Sequence, residues 1–270
     1  MPGEEKHGFS VTAMLSDLFW RSPCRSISWL AGGFEVGRST INHRVLGTEL
    51  FRKTCREIEM SDIMRHYDDF LAPHYSWMVD LSLTDKIAEQ QSLPAMLGLP
   101  GAVRGFAVDL GSGPGYQSFA LANMGYEAVI TIDTSRFLLD ELEAARGPAP
   151  VKAVHADLRA FSKFVTPSGA DAIVCMGDTL THLETRADVT KLFQDAFEHL
   201  APEGRVVLTF RDLLTELKGL DRFLPIRADD GRIMTCVLDF EPDTVVVNDL
   251  VHVRDGQTWT FQKSRPRLWL

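Results

Sequence analysis

Val108-Asp109-Leu110-Gly111-Ser112-Gly113-Pro114-Gly115-Tyr116 is the stretch on which the reading of this chain turns. An apolar run of strand length, Phe106 to Leu110, enters it, and a segment with helical spacing, Tyr116 to Met124, leaves it. Between the two, glycines let the backbone turn tightly and come close to a ligand. The next apolar run, Ala128 to Ile132, leads to Asp133, 22 residues past Gly111. A carboxylate at the end of the second strand lies beside such a loop and can accept hydrogen bonds from both hydroxyls of a ribose.

Outward from this loop the pattern repeats. Val151 to Val154, Ala172 to Met176 and Arg205 to Phe210 are further short apolar runs, separated by helix-like segments at Ser135 to Ala145, Leu158 to Phe164 and Asp188 to Leu200. Nearly continuous apolar strands between helices indicate a parallel sheet covered on both faces, so the fold class is α/β, a Rossmann-like doubly wound sheet. Beyond Phe223, residues Arg232 to Phe240, Thr244 to Val253 and Trp259 to Lys263 alternate apolar and polar, with turns at Glu241-Pro242-Asp243 and Asp255-Gly256. These predict antiparallel C-terminal strands that finish the sheet or extend it over one edge.

The chain divides unevenly. Residues 1–59 carry 8 basic and 7 acidic side chains, the remainder 20 and 30. The early part shows no sustained period apart from a possible short helix at Val11 to Trp20, and reads either as a flexible extension, even one ahead of the true start, or as an N-terminal lid of helices. From Met60 the texture changes. Ser61 and Asp62 start a helix carrying Ile63, Tyr67, Phe70 and Leu71 up to Pro73, and helical stretches at Trp77 to Val79 and Asp85 to Leu97 follow. The division expected is therefore an extension over 1–59 and a domain over 60–270 with N-terminal lid helices at 60–98.

Composition excludes several classes. Over 270 residues the chain has 28 Lys+Arg against 37 Asp+Glu, and it is 45% hydrophobic. Such an apolar fraction rules out disorder throughout, and the net charge of -9 disfavours bulk binding of nucleic acid. Cys24, Cys55, Cys175 and Cys236 lie far apart with no zinc spacing, so no metal site is expected and a reducing cytoplasm is the simpler setting. No apolar run reaches the length of a membrane span, and Glu4, Glu5, Asp17 and Arg21 interrupt any signal peptide.

Two cofactor classes compete for the loop. The dinucleotide fingerprint G-x-G-x-x-G requires a third glycine where this chain has Tyr116. Asp109, just ahead of the turn, would repel a pyrophosphate but favour the ammonium or sulfonium of S-adenosylmethionine. At these residues the chain resembles the class I S-adenosylmethionine-dependent methyltransferases, over about residues 100–212. The resemblance implies that Val108 to Gly115 is the family's first motif, with Asp109, Gly111, Ser112, Gly113 and Gly115 around the cofactor's amino-acid part. Asp133 matches the ribose-binding acid, with Thr134 beside it. Asp157 and Leu158 match the adenine position after the third strand, and Cys175-Met176-Gly177-Asp178 the loop after the fourth, with Met176 against the cofactor. Leu200 to Arg205 matches the turn before the fifth strand.

What the resemblance implies is transfer of a methyl group to an O or N atom of a small molecule, with a protein or RNA substrate, or a non-catalytic cofactor-binding module, as alternatives. DNA is disfavoured, because the Asn/Asp-Pro-Pro-Tyr/Phe signature is replaced by Cys175 to Asp178. Asp178 and His182 are candidates for a base: on one helical turn they would share a face, the carboxylate orienting the imidazole. The alternative is that Asp178 caps a helix and His182 packs. Arg211, at the end of the fifth strand, is a candidate clamp for a substrate carboxylate or phosphate, or else half of an ion pair. Tyr67, on the helix with His66, Tyr75 and Trp77, is expected at the cofactor or the acceptor. The end of the chain, Trp259 through Leu270, is weakly similar to the closing strands of the glycine-methyltransferase type.

Overall fold

The computed structural model describes residues 11–15, 65–96, 99, 105–264 and 267–269. Five parallel strands form the centre of the molecule: β2 (Phe106–Leu110), β3 (Ala128–Asp133), β4 (Val151–His155), β5 (Ala170–Cys175) and β6 (Leu200–Phe210), in the order β4-β3-β2-β5-β6. Helices α3 (Tyr116–Asn123), α4 (Arg136–Ala145) and α5 (Arg186–His199) connect them. Alternation along each strand divides the apolar residues between two cores. Ala107, Ala172, Val174 and Val207 meet Phe119, Leu121, Leu139 and Leu142 on one face. On the other, Val108, Leu110, Ile173, Cys175, Val206 and Leu208 meet Phe161, Leu192 and Ala196. Strands buried on both sides need apolar residues at every position, which is why the runs were legible. Polar atoms at the helix starts are used locally: Leu138 N donates to Ser135 Oγ at 3.4 Å, and Asp188 N to Thr185 Oγ1 at 3.1 Å.

The strand order reverses at β2, so the chain leaves β2 and β5 towards opposite sides and opens a crevice at their C-terminal ends. A further strand, β1 (Val11–Leu15), pairs in parallel with residues 206–210 of β6, where the sequence suggested a helix over 11–20. Most of the stretch read as an extension, and the proposed boundary at Met60, lie outside the described residues.

The late strands are antiparallel, as expected, but they form a separate sheet of β7 (Phe223–Ala228), β8 (Arg232–Phe240), β9 (Thr244–Asp255) and β10 (Thr258–Ser264), with β11 (Arg267–Trp269) on β9. One part of its apolar surface, Met234 and Val251, packs against Leu71, with Tyr67, Phe70, Tyr75, Trp77 and Met78 around it. These belong to a π-helical segment (His66–Leu71) running into α1 (Ala72–Met78); α2 (Leu83–Met96) follows. Pro73 starts α1 and does not end the preceding helix, because in the first turn its missing N–H is not needed. Trp77 fastens this segment to the second sheet. Its Nε1 donates to Asp229 Oδ2 at 2.5 Å, Arg227 donates to its carbonyl, and the Arg227 and Arg232 guanidinium groups lie 5.2 and 5.5 Å from its ring. The second sheet and the His66–Met78 segment together roof the crevice.

Candidate active site

Gly111, Gly113 and Gly115 all have positive φ, 71°, 54° and 88°. The loop is tied to the end of β3: Gly111 N and Ser112 N donate to the Ile132 carbonyl at 2.8 and 3.2 Å, and Gly113 N to Asp133 Oδ2 at 2.7 Å. The other Asp133 oxygen accepts from Ser135 N at 2.8 Å. Burial raises the Asp133 pKa, and the N–H groups of Ser135 and Gly113 only partly offset it.

A single cavity runs from this loop to the roof. Its wall includes Gly111, Ser112, Gly113, Asp133, Thr134, Asp157, Leu158 and Met176 at one end, and Tyr67, Asp178, His182 and Arg211 at the other. Two expected contacts are absent from that wall. Asp109 points beneath the loop, where Ser118 Oγ donates to its Oδ2 at 2.6 Å, and burial pushes its carboxyl up to about 7. Gly115 faces α4: a β-carbon there would stand 2.6 Å from Leu142 Cδ1, so this glycine permits close packing and not ligand approach. Asp157 lies on the wall but is engaged, accepting from Arg159 N at 2.8 Å and pairing with the Arg159 guanidinium at 2.6 Å.

The pairings at the acceptor end differ from the expected ones. Residues Thr179–His182 form a 3-10 turn, which places residues three apart, not four, on one line. Asp178 therefore does not meet His182, nor does its side chain cap the turn. Its Oδ2 pairs with Arg211 Nε at 2.6 Å, and its Oδ1 accepts from Arg211 N at 3.2 Å. Arg211 is thus half of an ion pair. His182 Nε2 is hydrogen-bonded to Tyr67 Oη at 3.1 Å, the rings meeting edge to face.

Burial lowers the His182 pKa to about 4, Asp178 opposing and His66 assisting. In the unfolded chain an ordinary histidine protonates near 6.5, so between 6.5 and 4 the unfolded state binds the extra proton. This contribution to stability is complete above about pH 6.5 and is lost as pH falls towards 4. The full shift would amount to roughly 3 kcal/mol; because the residue is only half-buried, about 1–2 kcal/mol is expected. Urea unfolding from pH 7 to 4.5 should show a shallower acid loss in His182→Asn than in the wild type; equal slopes would remove His182 as the cause.

Several wall residues carried no assignment from the sequence. Arg159, Met234, Cys236, Val247 and Asp249 all line the cavity. For Asp249 a signal existed: Val245, Val247, Asp249 and Val251 share one face of β9, so the acid occupies an inward register among valines.

The glycine cradle and acidic wall fit S-adenosylmethionine. Gly111, Ser112 and Gly113 put backbone with little side chain along the wall beside the Asp133 carboxylate, with the Tyr75 ring opposite Gly113. Residues 107–204 match the family model described as a methyltransferase domain. A glycine/sarcosine N-methyltransferase of Halorhodospira halochloris is 28% identical over 113 residues, 42% of this chain and 41% of that protein. A cypemycin N-terminal methyltransferase of a Streptomyces species is 33% identical over 105 residues, 39% and 41% of the two chains. This chain thus spans about two fifths of the length of the curated relatives it matches. In three dimensions it is similar to CalS10, an amino pentose methyltransferase from Micromonospora echinaspora solved with S-adenosylmethionine bound, at TM-score 0.56 and 18% identity over 74% of this chain and 82% of that one. The match to a methyltransferase domain over residues 107–204, and the likeness in fold to a solved S-adenosylmethionine-dependent methyltransferase, agree with the resemblance read from the glycine loop.

Proposed function

We propose that this protein transfers a methyl group from S-adenosylmethionine to a nitrogen or oxygen of a small-molecule acceptor. One observation carries the reading: the cavity that begins at the glycine loop continues into a chamber roofed by the His66–Met78 segment and the second sheet. A roofed chamber suits a small acceptor better than a protein or RNA strand, which would need an open groove. When bound, the cofactor supplies an already activated methyl group on a sulfonium. The chain's own tasks are to hold the reactants in line and keep water out.

Gly111 to Gly113 would hold the amino-acid part, Asp133 the ribose, and Asp157, Leu158 and Met176 the base. Tyr67 and Tyr75 are half-buried phenols whose pKa values are raised, by desolvation first, so both remain neutral hydrogen-bonding walls. The relatives' names support the small-molecule reading, since they include enzymes acting on glycine or sarcosine and on an amino pentose. The cytoplasm suits buried, free Cys175 and Cys236, and among the described residues no helix is long and apolar enough to cross a membrane. The acidic balance argues against DNA as substrate.

Calorimetric titration with S-adenosylhomocysteine tests the reading: the wild type should bind it, and absence of binding would end it. Asp133→Ala removes the acceptor that fixes Gly113 N–H as well as the acid on the wall. It should weaken binding roughly 10- to 100-fold, the size expected for losing hydrogen bonds to a charged group. An unchanged affinity would take Asp133 out of the site.

A further inference from the structure

We propose that the buried His66–Asp249 pair is the proton acceptor of the chamber, and that the acceptor is a small amine entering as its ammonium ion. This rests on the methyl-transfer reading above and names its acceptor.

His66 Nε2 lies 3.3 Å from Asp249 Oδ2, and the side chains are 3% and 8% exposed. The imidazole stacks on Phe70 at 5.8 Å and takes the edge of Tyr67 at 5.3 Å, so its plane is fixed. It opens the π-helical segment, a widened geometry that recurs at functional sites. With Nε2 against a carboxylate, the neutral ring carries its proton there and donates it, leaving the lone pair on Nδ1. That atom is buried without a hydrogen-bond partner among the described residues, and adjoining wall side chains must shift for a ligand to reach it. His66 and Asp249 both line the cavity.

Charge selects the acceptor. The two arginines on the cavity wall are each matched, Arg211 by Asp178 and Arg159 by Asp157. Asp249 adds a carboxylate to the acceptor end beyond those two pairs. A carboxylate or phosphate would meet that charge, whereas an ammonium is drawn to it. Leu71, Met78, Met234 and Val247 supply apolar wall for the rest of a small molecule.

An ammonium nitrogen has no lone pair and cannot attack. Transfer of its proton to His66 Nδ1 breaks one N–H bond, leaves the electron pair on nitrogen and yields an imidazolium paired with Asp249. The proton passes to solvent before the next turnover. The groups around His66 are Asp249 on β9 and Cys236 on β8, His182 and Asp178 after β5, Arg211 after β6, and Tyr67 beside it on its own segment. His182 holds its ring to Tyr67 and, with a pKa near 4, is a poor competitor for the proton.

Incubation with methyl-labelled S-adenosylmethionine and the small-molecule fraction of a cell extract, followed by cation exchange at pH 7, reads the acceptor class. Label in a cation separated from S-adenosylmethionine itself, and absent when the protein is left out, supports the proposal. Label in neutral or anionic small molecules overturns it while methyl transfer itself stands, and label found in the unreacted cofactor alone overturns both. With the labelled pool as substrate, His66→Asn should lower turnover at pH 7 by roughly 100-fold, the contribution of a general base. It should recover to within a few-fold of the wild type near pH 10, where the amine is already deprotonated. Asp249→Asn, a positioning change, should show a smaller loss with the same recovery. S-adenosylhomocysteine affinity should be unchanged in both variants, confirming that they fold. A loss that persists at pH 10 in variants that still bind S-adenosylhomocysteine would overturn the role of the pair.

Discussion

Gly111→Ala is expected to lose S-adenosylhomocysteine binding by at least about 100-fold and to melt earlier than the wild type, because two independent costs meet at one atom. The residue sits at φ 71°, a left-handed conformation that costs a side-chain-bearing residue roughly 1–2 kcal/mol. The added β-carbon would also overlap the Thr179 side chain. Neither partner can step back cheaply. Gly111 N–H is bonded to the Ile132 carbonyl at 2.8 Å, and Thr179 Oγ1 donates to the Met176 carbonyl at 3.1 Å. Relief must therefore move the glycine loop or the loop after β5, and both are cavity walls. Gly177 provides the comparison: its φ is 70°, but a β-carbon there meets nothing within 4 Å. Gly177→Ala should pay the backbone cost alone and keep most of its affinity. Calorimetry on both variants decides, and equal losses would mean that contact with Thr179 is irrelevant.

What the sequence disclosed follows from how local each feature is. Gly111, Gly113 and Asp133 were legible because a strand, a tight turn and the next strand's end lie within one short span, and the backbone geometry there is dictated by those residues. The five parallel strands were legible because burial on both faces leaves continuous apolar runs. The pairing of Asp178 with His182 was not legible, because it depends on whether four residues wind as an α or a 3-10 turn. The tighter turn sends one to Arg211 and the other to Tyr67, 115 residues away in sequence. The late strands displayed their alternation, but alternation does not say which sheet they join. Only packing of Met234 and Val251 on the His66–Met78 segment makes them a second sheet and so builds the roof. The His66–Asp249 contact spans a longer stretch of chain still, and no local pattern could announce the pairing.

Asp178→Ala is expected to be among the most destabilising single changes at the site. The Arg211 and Asp178 side chains are 14% and 20% exposed. Burial works against the charge on Arg211, and Asp178, Cys236 and Asp249 more than offset it, so the guanidinium stays above its ordinary value. Removing Asp178 takes the nearest counter-charge from that cation and leaves Asp249 to offset its burial only in part, and breaking a buried pair costs about 3–5 kcal/mol. At the 2–4 °C per kcal/mol typical of a domain this size, the melting temperature should fall by roughly 6–20 °C. Asp178→Asn keeps the shape and an oxygen for Arg211 N–H, so its loss should be smaller, isolating the charge from the hydrogen bond. The double variant Asp178→Ala with Arg211→Met should recover more than half of the loss, because no charge is then left buried. Thermal and urea unfolding of these proteins, with Arg211→Met alone beside them, completes the cycle. A single-variant loss below about 1 kcal/mol would place the pair with solvent-screened surface bridges. The acceptor chamber would then contain an arginine able to leave Asp178, and the charge argument for an ammonium ligand would lose one of its two matched cations.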